Sequence, residues 1–193
     1  MHFKKISRED ISIDRRELAA RLSVPSSDFG SEYDSIIDVV VRASAPAYVA
    51  EHVEIKYDDD ALIIGGVRVV SEALMRFLSG RSTCCLLCAT LGADVDRLIM
   101  RYAGVSVYDA FVADAVSDAL IEGVCDLAER ELYSDVDTVR FSPGYADLPL
   151  DFSGKIVAML DGARTLGIRF TESGMMLPRK TVSAIICVKA DNK

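Results

Sequence analysis

One long helical segment constrains this chain more than any other feature. Ser106 with Asp109 has N-capping spacing and opens the longest predicted helix, reaching about Tyr133. Val112, Val116, Leu120, Val124 and Leu127 form its core stripe. Roughly opposite runs an acidic row, Asp114, Asp118, Glu122 and Asp126, each four residues from the next and so about 40° apart around the helix. Like charges at that spacing repel, and Arg130 continues the row so as to relieve only its C-terminal end.

The flanking segments mix helices and strands without regular alternation. Asp14 and Glu17 begin a short amphipathic helix carrying Leu18 and Leu22, closed by Pro25 and a Ser-rich loop. Ser31 with Asp34 starts a second helix that must stop before Pro46. His52–Tyr57 alternates like a strand, Asp58–Asp60 turn the chain, and ALIIGG followed by VRVV reads as a second strand region, giving a hairpin. Ser71 caps a helix through Phe77, and Cys84–Thr90 is a continuous apolar run of central-strand type. A helix over about 93–102 precedes the long one. After it come a strand at Thr138–Phe141, a Pro-Gly loop, a helix over about 153–166, a strand at 168–171 and a closing strand at Thr181–Val188. This pattern predicts an α+β fold, a mixed and largely antiparallel sheet with packed helices including the long one over about 106–133. The expected division is an N-terminal helical and hairpin lobe over 1–80 and a core over 81–193, together one compact domain.

With 193 residues, half of them apolar, the chain can bury a core without metal or disulfide staples. Its 30 acids against 22 bases leave a net charge of −8, the wrong sign for a nucleic-acid partner. The charged N-terminus and the absence of an 18-residue apolar run argue against a signal peptide or membrane span, so a cytoplasmic location is expected. Of the five cysteines, Cys84, Cys85 and Cys88 include one C-x-x-C pair without the further ligands that zinc needs, and read as buried, reduced strand residues. No metal site is expected.

Three segments could carry chemistry. The acidic row is either a solvated helix face or a site for an organic cation or a ribose hydroxyl. In RFSPGYADLPLD (Arg140–Asp151), Arg140 offers a fork for a carboxylate and Tyr145 a ring face and hydroxyl. There Pro143 fixes φ and Gly144 permits φ > 0, so the turn can present backbone N–H groups to a ligand; an ordinary tight loop with an arginine ion pair is the alternative. TESGMMLPRK (Thr171–Lys180) sets Met175 and Met176 beside a Gly and a Pro, as core filling or as an apolar docking surface. No glycine-rich phosphate loop is present, and His2, at a terminus expected to fray, and His52 give poor support to a Ser/His/Asp triad.

Arg140-x-x-Pro143-Gly144-Tyr145, then Thr171-Glu172-Ser173-x-x-Met176-x-Pro178 and Thr181-Val182-Ser183, resemble the activation domain of cobalamin-dependent methionine synthase. RFSPGY-x-DLPL, MMLPRKTVSAI and the Ala89–Gly92 ATLG resemble its short stand-alone relatives still more, over about Cys84–Val188. The resemblance implies that the chain binds S-adenosylmethionine and presents its methyl to a cobalamin carried by another protein. Cob(II)alamin is thereby reductively methylated to methylcobalamin with an electron from a flavodoxin-like donor. The implied partner is a corrinoid-binding methionine synthase lacking its own activation domain.

Carried over by position, Arg140 pairs with the ligand carboxylate, Pro143 and Gly144 form the turn beside the ligand, Tyr145 lies close to the sulfonium and cobalt as the catalytic position, and Glu122 is a ligand-binding helix glutamate. Asp118-x-x-x-Glu122 aligns without a gap, while Asp114 and Asp126 are expected to stay solvated. No N-terminal acid can be matched to the one that helps hold the ligand in the long enzyme. The chain ends at Lys193, before a stretch that supplies another aromatic there, so weaker binding, or binding completed by a partner, is expected. A non-catalytic docking module that gates a corrinoid protein or its electron delivery is the alternative, as is reactivation of another corrinoid methyltransferase.

Overall fold

The computed structural model describes residues 1–25, 30–134 and 136–188. The Ser-rich loop expected after Pro25 lies outside them. Chain order is β1 (His2–Lys5), α1 (Arg15–Arg21), α2 (Asp34–Ala43), β2 (Ala47–Asp58), β3 (Ala61–Ile64), β4 (Val67–Val69), α3 (Glu72–Phe77), β5 (Thr83–Thr90), α4 (Ala93–Ala103) and α5 (Val107–Tyr133). Then follow β6 (Thr138–Phe141), α6 (Phe152–Met159), α7 (Gly162–Thr165), β7 (Arg169–Phe170), β8 (Met176–Leu177) and β9 (Thr181–Val188). Seven strands form one sheet in the order β4-β3-β2-β5-β9-β6, with β1 on β2, and every pairing is antiparallel. The α+β class, the antiparallel sheet and the long helix stand as expected.

β5 lies at the centre. Its Cys85, Leu87 and Ala89 face a core shared with α5, α4 and α2, while Cys84, Leu86 and Cys88 face a second core with Leu74, Phe152 and Ile156. A strand covered on both faces needs no polar alternation, which is why its sequence is apolar throughout. Each fully buried leucine here contributes about 1.5–3 kcal/mol. Eight-residue pairing of Ala47–Glu54 with Thr83–Thr90 joins strands from residues 1–80 and 81–193 in the same sheet.

Three caps sit where the sequence places them. The Asp14 carboxylate accepts from Arg16 and Glu17 N–H, Ser71 Oγ from Leu74 N–H, and Ser106 Oγ from Asp109 N–H. On α5, Val112, Val116, Leu120 and Val124 are buried as expected and Leu127 only partly. A second buried set, Ala113, Ser117, Ile121, Cys125 and Ala128, lies beside them. Small residues conceal this face from a hydrophobicity pattern, although they let neighbours approach. At Gly123 an added Cβ would sit 2.7 Å from the Ser12 carbonyl oxygen, so glycine is what lets the Ile11–Ser12 segment cross the helix.

Several elements differ from expectation. The N-terminus is a strand whose His2–Lys5 pairs with Ala47–Ala50, because β2 begins at Ala47 rather than His52 and leaves an edge for it to join. The expected second strand region splits into β3 and β4 at Gly65-Gly66, both with positive φ. The helix expected over about 153–166 is two helices, interrupted at Asp161 with φ 50°. The strand expected at 168–171 shortens to β7, paired only with β8.

Candidate functional site

The acidic row of α5 is neither bare nor relieved only at its end. Two cations on the sheet meet it from the facing side. Arg140 sits opposite Ile186 in the β6–β9 register, and Ile186 belongs to the core on the α5 side, so Arg140 shares that face. Lys180, immediately before β9, is held in place because its carbonyl accepts from Leu91 N–H at 3.0 Å while Arg179 N–H donates to Asp96 at 2.7 Å.

Lys180 Nζ lies 2.8 Å from Asp114 Oδ1 and 2.6 Å from Asp118 Oδ1, with its side chain only 9% exposed. Arg140 Nη2 reaches Glu122 Oε2 at 2.8 Å and Asp126 Oδ1 at 3.1 Å, and its Nε lies 3.1 Å from Glu129 Oε1. Glu129 is 12% exposed and also accepts from the Thr138 hydroxyl. Burial works against the guanidinium charge, but the carboxylates of Glu129, Glu122 and Asp126 hold Arg140 above its ordinary value. Its Nη1 is buried and has no hydrogen-bond partner among the described residues.

The structure therefore brings Glu122 and Arg140 together as an ion pair. It corrects two details. Asp114 and Asp126 are ion-paired rather than merely solvated. The open fork expected of Arg140 is filled from within the chain by three carboxylates, leaving only Nη1.

Beside this cluster opens a cleft of about 560 Å³ lined by Ser12, Asp14, Asp126, Glu129, Arg130 and Asp137, with Val136 and Thr138. Its acids outnumber its one cation, so its field favours a positively charged ligand. Asp14 comes from the N-terminal segment that Gly123 admits across α5. Sequence reasoning missed Asp14, Glu129 and Asp137 here. Only Glu129 carried a signal, lying about two helical turns beyond Glu122 and one beyond Asp126 on the same helix.

The Pro-Gly loop lies at the far end of β6. Gly144 has φ +87°, as its position in the turn requires. Its N–H donates to the Leu148 carbonyl and that of Tyr145 to the Ser142 carbonyl, so the N–H groups expected to face a ligand are used within the turn. Asp147 fastens the loop to α3 by accepting from Ser71 Oγ at 2.5 Å, Glu72 N–H at 2.7 Å and Ala73 N–H at 3.2 Å. These bonds, that from Ser71 first, lower its pKa. Tyr145 is 68% exposed and meets the Phe141 ring edge-on at 5.4 Å. Phe141 is in the core on the other side of the sheet, so Tyr145 and Arg140 are not brought together. β6 pairs only Ile185–Val188 of β9, and among the described residues no strand pairs with Thr181–Ala184 on that side.

All five cysteines are buried and free. Burial pushes the thiols of Cys84, Cys88 and Cys125 up to about 12 and that of Cys85 to about 11, which keeps them protonated and inert. Met176 packs against the core while Met175 stays exposed. No helix among the described residues is long and apolar enough to cross a membrane.

Fold and site together define an α+β chain whose antiparallel sheet carries a long helix with a paired row of acids. No protein-family model and no curated protein matches the sequence. Among solved structures the chain is similar to one described as the MetH reactivation domain bound to AdoHcy, with TM-score 0.68 and 16% identity, covering 100% of this chain and 79% of that one. At that identity the similarity is one of fold.

Proposed function

We propose that this chain binds S-adenosylmethionine and serves as a stand-alone reactivation subunit for a cobalamin-dependent methionine synthase that lacks its own activation domain. The observation that carries this reading is the Glu122–Arg140 pair beside an acid-lined cleft, in a fold shared over its full length with a reactivation domain.

The donor set suits the ligand. S-adenosylmethionine carries a carboxylate, an ammonium and a sulfonium, and the site offers one half-buried guanidinium among several carboxylates. Arg140 would hold the carboxylate, with Asp126, the most exposed of its three partners at 63%, giving way. Glu122 would hold a cationic or hydroxyl group, whereas Pro143, Gly144 and Tyr145, which the resemblance puts beside the ligand, lie at the far end of β6 and would need a rearrangement of that loop to reach it. Bound S-adenosylmethionine supplies the methyl group, the partner's cobalamin the metal that accepts it and a flavodoxin-like donor the electron. Transfer from a sulfonium depends on alignment and counter-charge, so this chain's residues position and need not move a proton.

A second reading, a docking module that gates a corrinoid protein without using S-adenosylmethionine, is favoured by the internally filled Arg140 fork and by Tyr145 lying on the opposite face. Calorimetric titration of S-adenosylmethionine into the protein decides between them, with Arg140→Lys alongside, alone and with the corrinoid protein present. Saturable binding weakened by the substitution supports the first reading. Absence of binding in both settings refutes it in favour of docking.

A further inference from the structure

Away from the α5 edge, four arginines converge on one cleft. It has a volume of about 630 Å³ and is lined by Arg8, Arg42, Arg97 and Arg101 with Asp94, together with Ala43, Ala45 and the exposed Met100. Arg42 lies in the last turn of α2, Arg97 and Arg101 lie one turn apart on α4, and Arg8 is aimed by its Nε donating to the Ser44 carbonyl at 2.8 Å. Only Arg97 of the four has a carboxylate partner, Asp94, among the described residues. A second cavity of about 350 Å³ shares Arg8 and Ala45 with the first and adds Lys5. Five cations thus line two neighbouring cavities whose lining includes one carboxylate, in a chain whose net charge is −8.

In a chain whose acids exceed its bases by eight, this one cleft gathers four guanidiniums, three of them without a carboxylate partner among the described residues. Their mutual repulsion falls when an anion sits between them, and a guanidinium fork matches phosphate oxygens in geometry as well as charge. Size and lining narrow the class further. The volume lies in the range of small-molecule sites, and the apolar lining from Ala43, Ala45 and Met100 suits an organic portion beside the charged one. A long polyanion or an acidic protein must also approach the strongly negative remainder of the chain, whereas a small anion samples only the local field within about 8–10 Å.

We propose that this cleft is a binding site for a small, multiply charged organic phosphate of nucleotide size, separate from the acid-lined cleft beside α5. The test is calorimetric titration of ADP and of inorganic pyrophosphate, without magnesium, into the full chain and into an Arg42→Ala/Arg101→Ala variant, at two salt concentrations. Both side chains are exposed, so the variant keeps the fold, which circular dichroism checks. The expected result is saturable, salt-weakened binding of both probes, tighter for ADP, that falls at least tenfold in the variant while a titration of S-adenosylmethionine is unaltered. Absence of binding to the wild type, binding the variant retains, or binding of a polyglutamate peptide in preference to both probes would overturn the proposal.

Discussion

Replacing Arg140 tests the site and the energetics together. Arg140→Met keeps much of the stem and removes the charge shared among Glu122, Asp126 and Glu129. Breaking a fully buried pair costs about 3–5 kcal/mol, whereas exposed pairs are worth about 0–1 kcal/mol. Glu129 is nearly buried, but Glu122 and Asp126 are well exposed, so the loss falls between these limits at about 2–3 kcal/mol. For a chain of this size that lowers the midpoint of thermal unfolding by about 5–10 °C. Circular dichroism melting reads it directly. Because most of the loss is the stranded Glu129 charge, Arg140→Met/Glu129→Gln should recover about half of it, and Arg140→Lys should lose less than Arg140→Met. A midpoint for Arg140→Met within about 1 °C of wild type, or no recovery in the double variant, would refute the reasoning. It follows that an alanine at this position cannot report on ligand binding alone, which is why Arg140→Lys is the variant for titration.

Two further outcomes are expected. Asp147 has a depressed pKa in the folded chain, so its contribution is present above the ordinary carboxylate value of about 4 and is lost as pH falls through the lower folded value. The stability difference between wild type and Asp147→Asn should therefore be seen at neutral pH and vanish in strong acid; a pH-independent difference in urea midpoints would contradict this. The buried thiols should resist iodoacetamide at pH 8 in the native protein, and all five should react in denaturant, as counted by intact mass. Rapid native labelling of any of them would place that cysteine outside the core.

Local rules fixed much of this structure in advance. Capping side chains and helix breakers act within a few residues, so the starts of α1, α3 and α5 at Asp14, Ser71 and Ser106 are legible in the sequence. The apolar run of β5 announces a strand covered on both faces, and the Arg140–Tyr145 segment marks a loop and an arginine with charged partners. Tertiary structure decided what those partners are. Periodicity along α5 lays out the row from Asp114 to Asp126 but carries no information about Lys180, 62 residues beyond Asp118, or about Arg140 reaching three acids at once. Asp147 capping a helix that starts 75 residues earlier is equally silent in one dimension. β1 was hidden because a short charged segment gains its strand conformation only from the edge that β2 offers, and Tyr145 faces away from Arg140 because strand alternation and the following turn set direction. The sequence by itself determined most of the helices and the central strand, since their caps, breakers and apolar runs act between neighbours in the chain. Which charges meet was decided only by folding, since ion pairs between distant elements exist only once the sheet and α5 are packed against each other.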